Sequence, residues 1–264
     1  MDAHPARRPR RSAPPLLRRM LTGAVAFAAG IALAGCAAGA GGGSSAGANG
    51  GADGQGGAVK SDPSTPIIDH GDPDGELVAF YGDSYTIGTA LADPEKERWP
   101  ALISAERGWR EFNPSLNGLG FVNQRGDRDL PGQIVAAKPD IVIVTMGLND
   151  NFSYATAADD IHAAIDRDLD RLHSQLPDAR IIVVEPFWYQ DERPASLAQI
   201  IRWVHAAADR IDADWIPGAS HWMDRAAKRG VLADDGLHPN AAGHADFARR
   251  MDAALAELGL PPEN

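Results

Sequence analysis

Apolar positions along the chain switch repeatedly between two periods. Residues 76–81 (ELVAFY), 140–147 (DIVIVTMG) and 179–187 (ARIIVVEPF) are nearly continuous apolar runs rich in β-branched side chains. Such runs predict strands covered on both faces. Between them the spacing lengthens to three and four. Over 156–176, Ile161, Ala164, Ile165, Leu169, Leu172 and Leu176 form one stripe and predict an amphipathic helix. Asp159, Asp160, Asp166, Asp168 and Asp170 lie along the same segment and read as its solvated face. Helices are also predicted over 95–108, with Pro100 near the first turn, over 194–211, and over 241–259, where Phe247, Met251, Leu255 and Leu258 share a side. Residues 109–121 read as a weak strand and loop, and 213–217 as a short strand. This alternation predicts an α/β domain over 67–264: three layers, with helices on both faces of a doubly wound, mainly parallel sheet of about five strands.

The first 66 residues follow neither period. Arginines at 7, 8, 10, 11, 18 and 19 precede an apolar run of about fifteen residues, MLTGAVAFAAGIALAG, and then Cys36. That run suits the core of a signal peptide better than a membrane span of roughly twenty residues. A short membrane-anchor helix is the plainer alternative. LAGC at 33–36 resembles the lipobox of bacterial lipoproteins, in which the cysteine is lipidated and the preceding segment removed. Residues 1–35 are therefore expected to be a lipoprotein signal peptide, and the protein to be lipid-anchored at Cys36 on the extracytoplasmic face. RRML at 18–21 is a loose twin-arginine pattern, so the export route stays open between the general secretory and twin-arginine systems. Residues 36–66 are rich in Gly, Ala and Ser and cannot bury a core, so they read as a tether.

Charge and cysteine count narrow the partners. Setting aside the first 35 residues, with their six arginines and one acid, moves the formal net charge from −11 to −16. A domain this acidic repels nucleic acid and anionic headgroups, so membrane contact is expected through the lipid anchor alone. Cys36 is the sole cysteine, which excludes an intramolecular disulfide. The histidines other than His238 show no metal-binding spacing, and no cofactor or metal is implied. A monomer is expected.

In doubly wound sheets, ligands bind beyond the carboxyl ends of the strands. Gly82-Asp83-Ser84 follows the first strong strand, and Gly147-Leu148-Asn149-Asp150 follows the run at 140–147. Asn117-Gly118-Leu119-Gly120 follows the weak strand, and Asp235-Gly236-Leu237-His238 precedes the last helix. Taken singly these are ordinary features: a serine after a strand is most often a helix cap, and Gly, Asn and Asp favour turns. Together they suggest nucleophilic catalysis. A serine hydroxyl needs a base, which His238 can supply, and a carboxylate three residues earlier can orient the imidazole. The three-residue spacing favours Asp235 over its neighbour Asp234. A helix beginning at Ser84 would also face its positive end toward developing negative charge. Asp83 is read as a structural acceptor of nearby backbone N–H groups. Trp188, Tyr189 and Trp222 are candidate substrate-groove residues. A G-x-S-x-G nucleophile elbow is absent.

The four segments resemble the sequence blocks of the SGNH hydrolases, also called the GDSL esterase/lipase family: GDSYT, NGLG, GLND and DGLHPN, in order from Gly82 to Asn240. The resemblance implies an SGNH/flavodoxin-like fold and ester hydrolysis through an acyl-enzyme. It implies Ser84 as nucleophile, His238 as base and then acid, and Asp235 as its orienting carboxylate. It also implies an oxyanion hole from the backbone N–H groups of Ser84 and Gly118 and the Asn149 amide, with Gly120 as the alternative glycine. Members include lipases, thioesterases, carbohydrate deacetylases and acyltransferases. The substrate expected here is a small acyl or acetyl ester, including one on an envelope glycan. The alternatives are acyl transfer to a sugar hydroxyl and a non-catalytic ligand-binding lipoprotein.

Overall fold

The structure is a computed structural model that describes residues 65–260. The expected signal peptide, Cys36 and almost all of the tether lie outside the described residues. Six strands form one sheet: β1 (Ile67–Asp69), β2 (Leu77–Tyr81), β3 (Arg110–Phe112), β4 (Ile141–Val144), β5 (Arg180–Val184) and β6 (Asp214–Ile216). Their order is β1-β3-β2-β4-β5-β6, and every pairing is parallel except that of β1 with β3. The sheet thus has one strand more than expected. The extra strand, β1, is a three-residue edge element with two exposed positions, too short and too wet to show a period.

The strands alternate their side chains between two cores, as extended backbone requires. Ala79, Tyr81, Val142, Val144 and Val183 pack on one face with Leu130 and Ile134 of α4 (Leu130–Ala137), with Ile161, Ile165, Leu169 and Leu172 of α5 (Asp150–Gln175), and with Ile200 and Val204 of α6 (Ala195–Arg210). Val78, Phe80, Ile143, Ile182 and Val184 pack on the other with Trp99 and Ile103 of α3 (Trp99–Arg107) and with Phe247, Met251 and Leu255 of α8 (Ala241–Glu257). All of β2 and β4 is buried, hence their unbroken apolar runs. Three short helices complete the set: α1 (Ser84–Ile87), α2 (Pro94–Glu97) and α7 (Ala226–Arg229).

Three expectations are corrected. The segment 95–108 is two helices, α2 and α3, because Arg98 is extended between them; Pro100 lies in the first turn of α3. Helix α5 starts at Asp150 instead of 156 and is broken at Ala157, whose φ is −135°. Asp168 is not solvated. It is 3% exposed and accepts a hydrogen bond from Tyr81 Oη at 2.6 Å, with Arg125 Nη1 at 3.0 Å.

Strand order reverses at β2, which has β3 on one side and β4 on the other. The turns leaving the carboxyl ends of β2 and β4 therefore flank the crevice in which such sheets bind ligands.

Candidate active site

The turn after β2 separates capping from chemistry. Asp83, not Ser84, caps α1: its carboxylate accepts from the Tyr85 N–H at 3.0 Å. The Ser84 side chain is therefore not needed as a cap. With four residues, α1 is too short for a substantial dipole, so the expected dipole contribution is small. Asp83 is fully buried, and burial pushes its carboxyl up to about 7.

His238 and Asp235 meet as the spacing suggested. Asp235 Oδ2 lies 2.6 Å from His238 Nδ1, while Oδ1 accepts the backbone N–H groups of Leu237 and His238, each at 2.9 Å. Burial acts upward on the Asp235 carboxyl, but these bonds hold it below the usual carboxylate range. Asp234 is exposed. The loop is tied to the serine turn by the residue after Ser84, since Tyr85 Oη donates to Leu237 O at 2.5 Å. With Nδ1 turned to Asp235, the ring has Nε2 left to work as a base. No hydrogen bond joins Ser84 Oγ to His238 in this structure, yet both line one pocket of about 220 Å³.

The same pocket contains Gly118, Asn149, Leu148 and Phe152. Gly118 has φ +69°, which favours glycine, and its N–H has no partner among the described residues. Gly120 differs in both respects. Its N–H donates to Asn123 O at 2.8 Å, and a Cβ there would lie 2.4 Å from the Asp150 carboxylate. Gly120 is thus a close-approach glycine, and the amide left free is that of Gly118. The Ser84 N–H likewise has no partner among the described residues. Asn149 is more constrained than its expected role requires: its Nδ2 donates to Asp83 Oδ2 at 2.9 Å and to Leu119 O at 3.0 Å. Donation to an oxyanion requires one of these two protons to leave its present acceptor.

Residues that sequence reasoning passed over hold this loop in place. Asp150, buried at the start of α5, accepts the N–H groups of Phe121, Val122 and Asn123 at 2.7, 2.8 and 3.1 Å. Arg125 reaches from the same loop to Tyr81 Oη at 2.5 Å and to Asp168. The Gly118 segment is thereby clamped to both β2 and α5.

Two of the candidate groove residues are placed elsewhere. Trp188 is 2% exposed, and its Nε1 donates to Glu192 O at 2.9 Å. Trp222 packs in the core against Phe187 and Phe247. Both indoles are buried, and neither lines the pocket that holds Ser84; Trp222 lines a separate cavity with Trp215, Pro217 and Arg250. Tyr189 is half-buried and stands behind Phe152, at 6.5 Å between ring centroids. Among the described residues no group of His, Cys, Asp and Glu could hold a metal ion, and no helix is long and apolar enough to cross a membrane.

Comparison with known proteins agrees with this arrangement. The profile of the GDSL-like Lipase/Acylhydrolase family matches residues 80–245, more than half of the chain. The chain belongs to that family. As a GDSL/SGNH esterase it is a carboxylic ester hydrolase. GDSL lipase Rv0518 of Mycobacterium tuberculosis is 27% identical to it over 194 residues, 69% of this chain and 82% of that protein. Among solved structures, the psychrotrophic esterase EstA from Pseudoalteromonas sp. matches with a TM-score of 0.58 at 15% identity, covering 69% of this chain and 98% of its own. A mutant of Axe2, an acetyl-xylooligosaccharide esterase from Geobacillus stearothermophilus, matches with a TM-score of 0.54 at 21% identity, covering 73% and 97%. At these identities the structural likeness speaks for the SGNH fold alone.

Proposed function

We propose that the protein hydrolyses small acyl esters, acetyl esters of sugars among them, through an acyl-enzyme formed on Ser84. The observation that carries this reading is one pocket of about 220 Å³ lined by Ser84, His238, Gly118 and Asn149, with Asp235 bonded to the imidazole. Pockets for drug-sized ligands run roughly 300–1,000 Å³, so the size favours a short acyl group over a long chain. Ser84 Oγ attacks the ester carbonyl while His238 Nε2 takes its proton. Asp235 steadies the resulting imidazolium. The N–H groups of Ser84 and Gly118 and the Asn149 amide take up the negative charge that develops on the carbonyl oxygen. The imidazolium then protonates the leaving alcohol, and water, activated by the same ring, releases the acid. The sugar-ester part of the reading draws on the activity named for Axe2.

A fluorescent organophosphonate is expected to label the wild-type protein and to leave Ser84→Ala unlabelled, with hydrolysis of p-nitrophenyl acetate lost in the same variant. Equal labelling of the two proteins removes Ser84 from the role. Running the wild type with an added glycan acceptor separates hydrolysis from transfer, since a transferase forms the acylated glycan in preference to free acid.

The reading extends to location: an exported lipoprotein held on the extracytoplasmic face by lipid at Cys36. It is supported by LAGC at 33–36 and by the absence of any other cysteine. Labelled fatty acid is expected to enter the wild-type protein in a bacterial host and not Cys36→Ser. A mature protein without lipid at Cys36 ends this part of the proposal.

A further inference from the structure

We infer that Phe152 is a fixed ring-stacking platform at the rim of the pocket, and that the enzyme's preferred esters carry a flat-faced ring, pyranose or aryl, on their alcohol part. The inference rests on the esterase reading above. Phe152 is 58% exposed, and among the described residues Ile67 is the only other exposed large apolar side chain. A single exposed apolar residue means little by itself. This one lines the pocket that holds Ser84 and His238, and Ile67 does not.

The ring is backed by other aromatics. Its centroid lies 6.5 Å from both Trp188 and Tyr189, at 31° to each, and those two rings lie 4.5 Å apart. Trp188 is in turn fixed by its Nε1 bond to Glu192 O. The residues flanking Phe152 are tied by their side chains to neighbouring segments. Asp150 receives the three N–H groups of the Gly118 loop, Asn151 Oδ1 accepts from Ser196 Oγ at 2.6 Å, and Ser153 Oγ donates to Asn123 Oδ1 at 2.6 Å. An aromatic held this firmly loses little freedom when it binds, and that makes a contact count toward affinity. With the acyl carbonyl placed at the Gly118 and Asn149 donors, the exposed Phe152, which lines the same pocket as the polar Thr89 and Asn117, is the surface left for the alcohol part.

The test measures kcat/KM of the full chain for three acetyl esters: phenyl acetate, acetylated xylobiose and vinyl acetate, which has no ring. In Phe152→Ala the ratio of each ring ester to vinyl acetate is expected to fall roughly two- to tenfold, the range of an aromatic pair of about 0.5–1.5 kcal/mol. Phe152→Trp restores the ratio, and Phe152→Leu, apolar but without a ring face, does not. A fall confined to phenyl acetate assigns an aryl alcohol, and one confined to acetylated xylobiose assigns a sugar. An unchanged ratio for both, or full rescue by leucine, overturns the proposal while leaving Ser84 chemistry intact. Titration calorimetry with acetylated xylobiose and phenyl acetate compares Ser84→Ala with Ser84→Ala/Phe152→Ala, and so reads the platform without turnover. Weaker binding of either ester by the double variant supports the platform even if the wild type cleaves none of the esters, and equal binding overturns it.

Discussion

Asn149 carries two burdens that ordinarily fall on different residues. Its amide satisfies the buried Asp83 carboxylate and the Leu119 carbonyl, and in the proposed mechanism it also meets the oxyanion. A donor that bonds the transition state more strongly than the ground state lowers the barrier without much changing substrate affinity. Asn149→Ala is therefore expected to lose roughly 10²- to 10³-fold in kcat, with KM moving by less than about tenfold. Stability should fall as well, by about 1–3 kcal/mol, because two buried acceptors lose their donor. Urea unfolding on the same preparation separates the two effects. A folded variant with near-full kcat excludes Asn149 from the oxyanion hole, and a loss of activity that merely tracks unfolding reduces GLND to a structural turn.

At the level of elements, what could be read in the sequence follows what each segment buries. The strands β2, β4 and β5 were legible because they are buried almost without a break, and the helices α6 and α8 because their burial repeats at the helical period. The sheet's β1 and the helix α4 were not. Leu130–Ala137 is a helix of eight residues, too short to show a clear apolar stripe, and Gly132 in its first turn reads as loop; its start is marked by Pro131 and by the Asp129 side chain, which accepts from the Gly132 N–H at 3.1 Å. The first turn of α5 was missed for a related reason. DNFSYAT shows no apolar stripe because Tyr154 alone packs on the core, while Phe152 lines the pocket and Asp150 and Ser153 bond the Gly118 loop, and so Phe152 went unnoticed. Asp168 misled in the opposite direction: its partners, Tyr81 and Arg125, lie 87 and 43 positions away, and no local pattern reports them. The pair Asp235 and His238 was legible because one short loop suffices to join them. The choice between Gly118 and Gly120 was not, since it turns on the fold of their own loop, in which Asn123 O takes the Gly120 N–H and the Asp150 carboxylate packs against Gly120 from the start of α5.

For the molecule as a whole, two buried groups set opposing responses to pH. Burial raises Asp83 from 3.8 to about 7, with the hydrogen bond from Tyr85 acting downward and the neighbouring Asp150 charge upward. Between about pH 4 and 7 the folded state therefore keeps a proton that the unfolded chain has released, and stability falls as pH rises. Asp150 is raised as well, again by burial, and adds to that slope. His244 behaves in reverse. Burial, with a smaller contribution from His238, lowers it from 6.5 to about 4. Its Nδ1 accepts the Trp99 N–H at 3.3 Å, and its buried Nε2 has no partner among the described residues. Between about pH 4 and 6.5 the unfolded chain takes up a proton that the folded state refuses, so stability rises with pH. Each pKa unit is worth about 1.4 kcal/mol, which makes each effect a few kcal/mol, and the two offset one another over most of the window. Single substitutions separate them. Relative to the wild type, Asp83→Asn is expected to tilt the dependence of stability on pH toward a rise between about pH 4 and 7, and His244→Gln to tilt it toward a fall between about pH 4 and 6.5. Urea midpoints at pH 4, 5, 6 and 7 measure the slopes. If both variants keep the wild-type slope, Asp83 and His244 titrate alike in the folded and unfolded chains, and the opposition described here does not exist.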